Sequence, residues 1–240
     1  GVPLGTFIAQ HASWRLAFVF IAGLGVVALL ANYWLVPNDL TQPAAPRRGA
    51  VLRLIREPRL LAGLIITALG YGASFPVYTY ISAILRRMGF GAGISVILLL
   101  IYGIAVAIGN TLGGRLANRR PLQALSIMFA ALTLVMIAML FGLRYTGLGL
   151  ALLLVMGLLA FMNVPGLQLF TMQVAEERYP EDAPLASALN ISAFNVGVMA
   201  GSFGGGQLLN HWGLLSTPIG GIILGAAALL LTLWLIRTDK

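Results

Sequence analysis

The chain has 240 residues, 59% of them hydrophobic and only 9% charged, with a mean hydropathy of +0.93. A soluble domain is about one quarter charged, so these residues cannot cover a globule with a water-exposed surface. Cysteine is absent, which excludes disulfides and thiolate metal sites, and the net charge of +8 comes from arginines flanking apolar stretches rather than from one continuous basic face, which argues against nucleic acid.

The hydrocarbon core takes roughly 20 apolar residues per helical span. Seven stretches meet that length, at residues 16–36, 60–85, 94–113, 122–143, 147–170, 186–209 and 215–236, and none contains an acid. The expected fold class is therefore an all-α polytopic membrane protein with about seven transmembrane helices. Chemistry within the membrane must then come from hydroxyls, amides, aromatic rings and helix breaks. His11 and His211, the only histidines, lie far apart in or near loops with no acid beside them. They read as interfacial residues, and no metal site or catalytic residue is expected.

In chain order, residues 1–10 read as the end of an earlier helix. With no initial methionine and no signal-peptide pattern, the chain is expected to be an internal fragment. The first span follows, and then the longest polar connection, residues 37–59. Pro37, Pro43, Pro46 and Pro58 disfavour a continuous helix there, leaving 51–56 as a short amphipathic piece for the membrane surface.

The second span carries Thr67, Tyr71, Ser74, Tyr78 and Ser82, spaced by 4, 3, 4 and 4 and so on one helical face. Unpaired polar groups facing lipid are costly, so the stripe should turn toward water, as a cavity wall, or toward another helix. Pro76 withholds the bond it would donate to Gly72 and predicts a kink. In the third span Gly103, Gly109 and Gly113 read as packing positions. The fifth offers Asn163, Pro165, Gly166 and Gln168. Its two amides are roughly 140° apart around a helix, so at least one should be a packing amide, and Gln168 is the better cavity candidate.

The sixth span combines the cavity candidates Asn190 and Asn195, which point in different directions so that only one should reach solute, with Gly197, Gly201 and Gly205, whose fourfold spacing lets another helix approach closely. Trp14, Trp34, Trp212 and Trp234 lie near span ends, as an interfacial belt would place them. Phe75, Phe129, Phe161 and Phe194, the most central phenylalanines, read first as core or lipid contacts and, as the alternative, as the border of a hydrophobic site.

The connections alternate in charge. Arg47, Arg48, Arg53, Arg56, Arg59, Arg115, Arg119, Arg120, Arg178, Arg237 and Lys240 fall on one side, against Arg15, Arg86, Arg87 and Arg144 on the other. The positive-inside bias puts the first group, and the C-terminus with it, in the cytoplasm. All seven acids, Asp39, Glu57, Glu176, Glu177, Glu181, Asp182 and Asp239, share that side.

Several segments carry a family resemblance. Gly1-Val-Pro-Leu-Gly5-Thr6, with Gln10 and Ser13-Trp14-Arg15, resembles the end of helix 5 and the following loop in major facilitator superfamily exporters, Gly1, Pro3 and Gly5 matching the tail of their antiporter motif. The run from Gly109 to Arg120, with Gly114, Arg115, Asn118 and Arg119, resembles the C-terminal copy of the superfamily's cytoplasmic loop motif. Asn118 stands where that motif usually has an aspartate, so it would keep hydrogen bonding and lose the ion pair. Tyr78-Thr-Tyr-Ile-Ser82, Pro165-Gly-Leu-Gln168 and Asn190-Ile-Ser-Ala-Phe-Asn195-Val-Gly197 resemble the arabinose-efflux-permease-like branch of the drug:proton antiporters.

The resemblance implies a fragment of the superfamily fold, from the end of helix 5 through helix 12. Residues 1–36 would close the N-terminal bundle, 37–59 form the cytoplasmic linker and 60–240 the C-terminal six-helix bundle. It implies a bacterial inner-membrane protein exporting a small sugar-like or drug-like solute by alternating access, with binding near the bilayer midplane. Such proteins usually act as monomers, without cofactors and in contact only with solute, protons and lipid. Because intramembrane acids are costly and kept for function, a proton-coupling acid is expected in the N-terminal half, outside this chain. A channel-like or structural membrane subunit is the alternative. An enzyme would need a paired nucleophile and base, facing aspartates or a metal motif, and the spans hold none.

Overall fold

The structure, a computed structural model, describes residues 13–37 and 49–238 together with Gly5 and Ile8. The expectations for Gly1, Pro3, His11, Asp39, Pro43, Pro46, Arg47, Arg48, Asp239 and Lys240 lie outside the described residues, and Gly5 is helical. Among the described residues there are helices and no strands, and seven helical stretches are long and apolar enough to cross a membrane. They coincide with the seven stretches of the sequence.

The first span is α1 (Trp14–Leu35), opened by Ser13, whose hydroxyl accepts from the Leu16 amide at 3.4 Å. It buries none of its residues. Gly49 then starts α2 (Ala50–Arg56), whose Ala50 and Leu54 are buried while Val51, Leu52 and Ile55 face outward. Pro58, at the first position of α3 (Pro58–Gly72), suits a helix start because its missing N–H has no partner to lose there.

The second span is not one rod. It runs as α3, α4 (Phe75–Tyr78) and α5 (Ile81–Arg87), broken on both sides of the turn holding Pro76. The third and fourth spans are single helices, α6 (Ala92–Ala117) and α7 (Pro121–Gly142). The fifth breaks again, as α8 (Thr146–Ala160) and α9 (Val164–Arg178), with Pro165 just past the break. After a 3-10 turn come α10 (Ala183–Trp212) and, past Gly213, α11 (Thr217–Thr238). Gly213 ends α10 with φ of 85°, a conformation that side chains rarely adopt.

Lipid tails are as apolar as leucine, so these helices are held by close packing and hydrogen bonds rather than by exclusion from water. Backbones meet where glycine permits. Gly197 sits against the Ala68 carbonyl, Gly201 against the Gly72 carbonyl, and Gly205 would place a Cβ 2.7 Å from Pro76 Cα. This seats α10 directly on α3 and α4. Gly109 and Gly113 of α6 likewise meet the Leu158 and Met162 carbonyls beside the second break. Gly103 departs from its expected packing role, since a Cβ there would meet nothing within 4 Å. The rest of the bundle pairs α7 with α11 and fills two apolar cores, one around Ile66, Phe129 and Leu167, the other around Val77, Leu132 and Met156. The four tryptophans are exposed at the span ends.

Candidate functional site

The two broken spans meet at their breaks. Tyr71, at the end of α3, packs its ring against Phe75 (centroids 5.2 Å apart), Phe161 (5.6 Å) and Phe194 of α10 (4.7 Å). Tyr78 extends the group, lying 5.4 Å from Phe75, 6.1 Å from Phe161 and stacked at 5.8 Å on Tyr102 of α6. Tyr71, Tyr78, Phe161 and Phe194 are half-buried, so the cluster forms an aromatic surface open on one side. Four spans contribute to it. Of the four central phenylalanines, Phe75 and Phe129 are buried in the core, Phe129 with its ring over Gly70.

Each break leaves carbonyls to satisfy, because no water can bond them in the hydrocarbon region. The Ser74 hydroxyl donates to the Tyr71 carbonyl at 3.3 Å. Pro165 has no N–H for the Phe161 carbonyl, which accepts instead from the Val164 backbone N–H at 3.3 Å and from the Asn110 side-chain amide of α6, also at 3.3 Å. Asn163 donates to the Gly70 carbonyl at 3.4 Å, linking the two breaks directly. Its other amide atom, Oδ1, is buried without a hydrogen-bond partner among the described residues, as is the Tyr102 hydroxyl. Both flank the aromatic cluster.

One helical turn or more from the rings lies a closed, uncharged hydrogen-bond network. Asn190 Oδ1 accepts from the Thr67 hydroxyl at 2.7 Å and from Thr171 at 3.2 Å, and its Nδ2 donates to Gln168 Oε1 at 2.8 Å. Gln168 Nε2 in turn donates to the Ser187 hydroxyl at 2.6 Å. This ties α3, α9 and α10 together.

The structure thus divides the polar candidates. Thr67, Ser74, Asn163 and Asn190 are buried, and Thr67, Gln168 and Asn190 bond one another instead of facing an opening. Gln168 was the better cavity candidate from its position, but both ends of its amide are occupied. The stripe of the second span also splits: Thr67 bonds Asn190 of α10 and Ser74 bonds back to the Tyr71 carbonyl, while Tyr71 and Tyr78 stay half-exposed and Ser82 is half-buried. Asn195 is exposed and bonds back to the Ile191 carbonyl at 3.0 Å. Asn110, Thr171, Ser187 and Tyr102 carried no signal of their own. For Asn110 there was an indirect one, since Pro165 implies an unpaired carbonyl four residues earlier.

At the basic end of the bundle, α2 is held to the segment after α9. Arg53 pairs with the buried Asp182 and lies 5.2 Å from the centre of the Tyr179 ring. Arg59 meets Glu177 at 3.4 Å and Arg178 meets Glu57 at 3.7 Å. In the loop motif, Gly114 lies beside Pro165. Arg115, Asn118 and Arg119 are exposed and make no hydrogen bond among the described residues, and Arg120 bonds Gln123 at 3.3 Å.

Comparison with known proteins places these features. A family model described as Major Facilitator Superfamily matches residues 1–180. The chain is 45% identical over 236 residues to the uncharacterized MFS-type transporter YtbD of Bacillus subtilis, covering 98% of this chain and 59% of that protein. It is 35% identical over 234 residues to the inner membrane transport protein YdhP of Escherichia coli, covering 96% and 59%. A protein of Mannheimia succiniciproducens named "Probable sugar efflux transporter" is 28% identical over 231 residues, covering 96% and 57%. The chain therefore spans less than two thirds of the length of the curated relatives it matches.

Proposed function

The chain belongs to the Major Facilitator Superfamily, a family of multi-pass membrane transporters rather than enzymes, and from that premise we propose that it supplies one wall of the solute cavity of a secondary exporter. In this reading α3 to α11 form one six-helix half, α1 belongs to the other half and α2 to the connection between them. The two halves rock about a central site. The C-terminus and the basic ends face the cytoplasm of a bacterial inner membrane.

The observation that supports the reading best is the aromatic surface of Tyr71, Tyr78, Phe161 and Phe194, assembled where two spans break. Rings offer flat apolar contact, while the unpartnered Asn163 Oδ1 and Tyr102 hydroxyl beside them can bond a neutral solute. Among the described residues the ring contacts that build the surface involve only Tyr and Phe, so selectivity would come from shape and neutral hydrogen bonds. That suits a small sugar-like or drug-like solute with an apolar face. The name of the Mannheimia relative favours the first. A proton-coupling acid, if export is proton-driven, lies outside these residues, because the seven apolar stretches hold none.

The test is flux through proteoliposomes containing the intact protein, with a labelled pentose and a lipophilic cationic dye, with and without an imposed pH gradient. Saturable flux that falls when the gradient is dissipated, and falls further in Tyr78→Ala, is the expected result. Flux that rises linearly with solute and ignores the gradient would mark a channel-like protein instead.

A further inference from the structure

We propose that the basic end of the bundle holds a single anionic phospholipid, its phosphate between Arg59 and Arg120 and one acyl chain in a groove along α7. The site lies apart from the aromatic surface and stands independently of the transport reading.

Two adjoining cavities meet at the start of α7. The first, about 300 Å³, is walled by Arg59 of α3, Arg120 and Gln123 at the head of α7, Phe170 of α9 and Ile236 of α11. Two guanidinium groups border it and no carboxylate lines it, although Arg59 also touches Glu177 at 3.4 Å. The second, about 280 Å³, shares Arg120 and Gln123 and then continues past Ile127 and Ala131, with Leu116 of α6 and Leu159 of α8 opposite. Below Gln123 its lining is apolar.

Polarity therefore changes along the groove as it does along a lipid. The charged part sits at the end of a span, where headgroups lie, and the apolar part descends into the hydrocarbon. From Gln123 to Ala131 the helix rises about 12 Å at 1.5 Å per residue, close to the roughly 15 Å of one leaflet's hydrocarbon. The groove thus has the length of one chain in one leaflet. Basic pockets between helices on the cytoplasmic side suit anionic headgroups, and arginine forks match phosphate geometry. A free phosphate would leave the apolar part of the groove without a partner, and a zwitterionic lipid would bring no net negative charge to this basic end.

Native mass spectrometry of the intact protein, given equal amounts of phosphatidylglycerol and phosphatidylcholine with identical chains, tests this directly. Phosphatidylglycerol should be retained in preference. Arg120→Gln should lower that retention about fivefold, the effect of one arginine at an anionic surface, and Arg120→Lys should keep most of it. Ala131→Phe, which fills the groove and leaves both arginines, should also lower retention. Arg144→Gln, at the opposite end of α7, should leave it unchanged. Equal retention of the two lipids, equal effects of Arg120→Gln and Arg144→Gln, no effect of Ala131→Phe, or displacement by soluble glycerol phosphate at matched concentration would each overturn the proposal.

Discussion

Pro76 and Pro165 each delete one hydrogen bond from a helix within the membrane, and the carbonyls they abandon, those of Gly72 and Phe161, are met in different ways. Phe161 receives a side-chain amide from Asn110, a directed bond from a neighbouring span. Gly72 lies against Gly201, which offers no conventional donor, only room and a weak Cα–H contact. Of these two carbonyls, that of Phe161 is met by donors, the Val164 N–H and the Asn110 amide, and that of Gly72 by a glycine that leaves it room. The first should therefore be sensitive to loss of a bond and open to rescue, whereas the second should be sensitive to any added atom.

The largest effect should follow from Gly201→Leu. A Cβ at that position already collides with the Gly72 carbonyl and lies 2.9 Å from Phe75 Cβ, and no rotamer moves a Cβ. Overpacking of this kind costs about 1–3 kcal/mol or more, so the protein should lose its monodisperse peak in size-exclusion chromatography. Gly103→Leu should keep it. Pro76→Ala should not rescue Gly201→Leu, because the defect is steric.

Asn190→Ala comes next. It removes the centre of the network that joins α3, α9 and α10 and leaves the buried Thr67 and the half-buried Gln168 with one partner fewer. The expected loss is about 1–3 kcal/mol, read as a lowered midpoint of thermal unfolding in detergent. Asn110→Ala should be milder, about 0.6 kcal/mol and at most about 1.7, as interhelical bonds in membranes run. Its cost should shrink in a Pro165→Ala background, where the restored N–H at position 165 can join that of Val164 at the Phe161 carbonyl. A double-mutant cycle measures that coupling, and strict additivity would mean that Asn110 does not support the break. Glu177→Gln, at an exposed ion pair, should shift stability least, within about 1 kcal/mol.

The seven spans were legible because their apolar runs are long and lack acids, and Pro76 announced a kink where the second span breaks. What the spacing could not supply was the local rotation that a break introduces. Thr67, Ser74 and Tyr78 share a face on an unbroken helix, but the turn after Gly72 takes Ser74 and Tyr78 off the line that Thr67 and Tyr71 keep on α3. Amides posed a different problem. Gln168 and Asn190 each look ready for a solute in isolation, yet they lie on adjacent helices and satisfy one another, and only the packing of α9 on α10 reveals it. The aromatic cluster joins rings from four spans, each of which reads as ordinary core or lipid contact within its own segment.

The central claim is that the open aromatic surface faces an aqueous cavity and not lipid. The chain contains no cysteine, so single cysteines at Tyr78 and Phe194 in the intact protein can be probed with a charged, membrane-impermeant thiol reagent, against Leu134 and Leu230, which are exposed on α7 and α11. Modification of the first pair with protection by transported solute, and no modification of the second, is the predicted result. Silence at Tyr78 and Phe194, with reaction only to a lipid-soluble reagent, would show that the surface meets lipid and would contradict the claim.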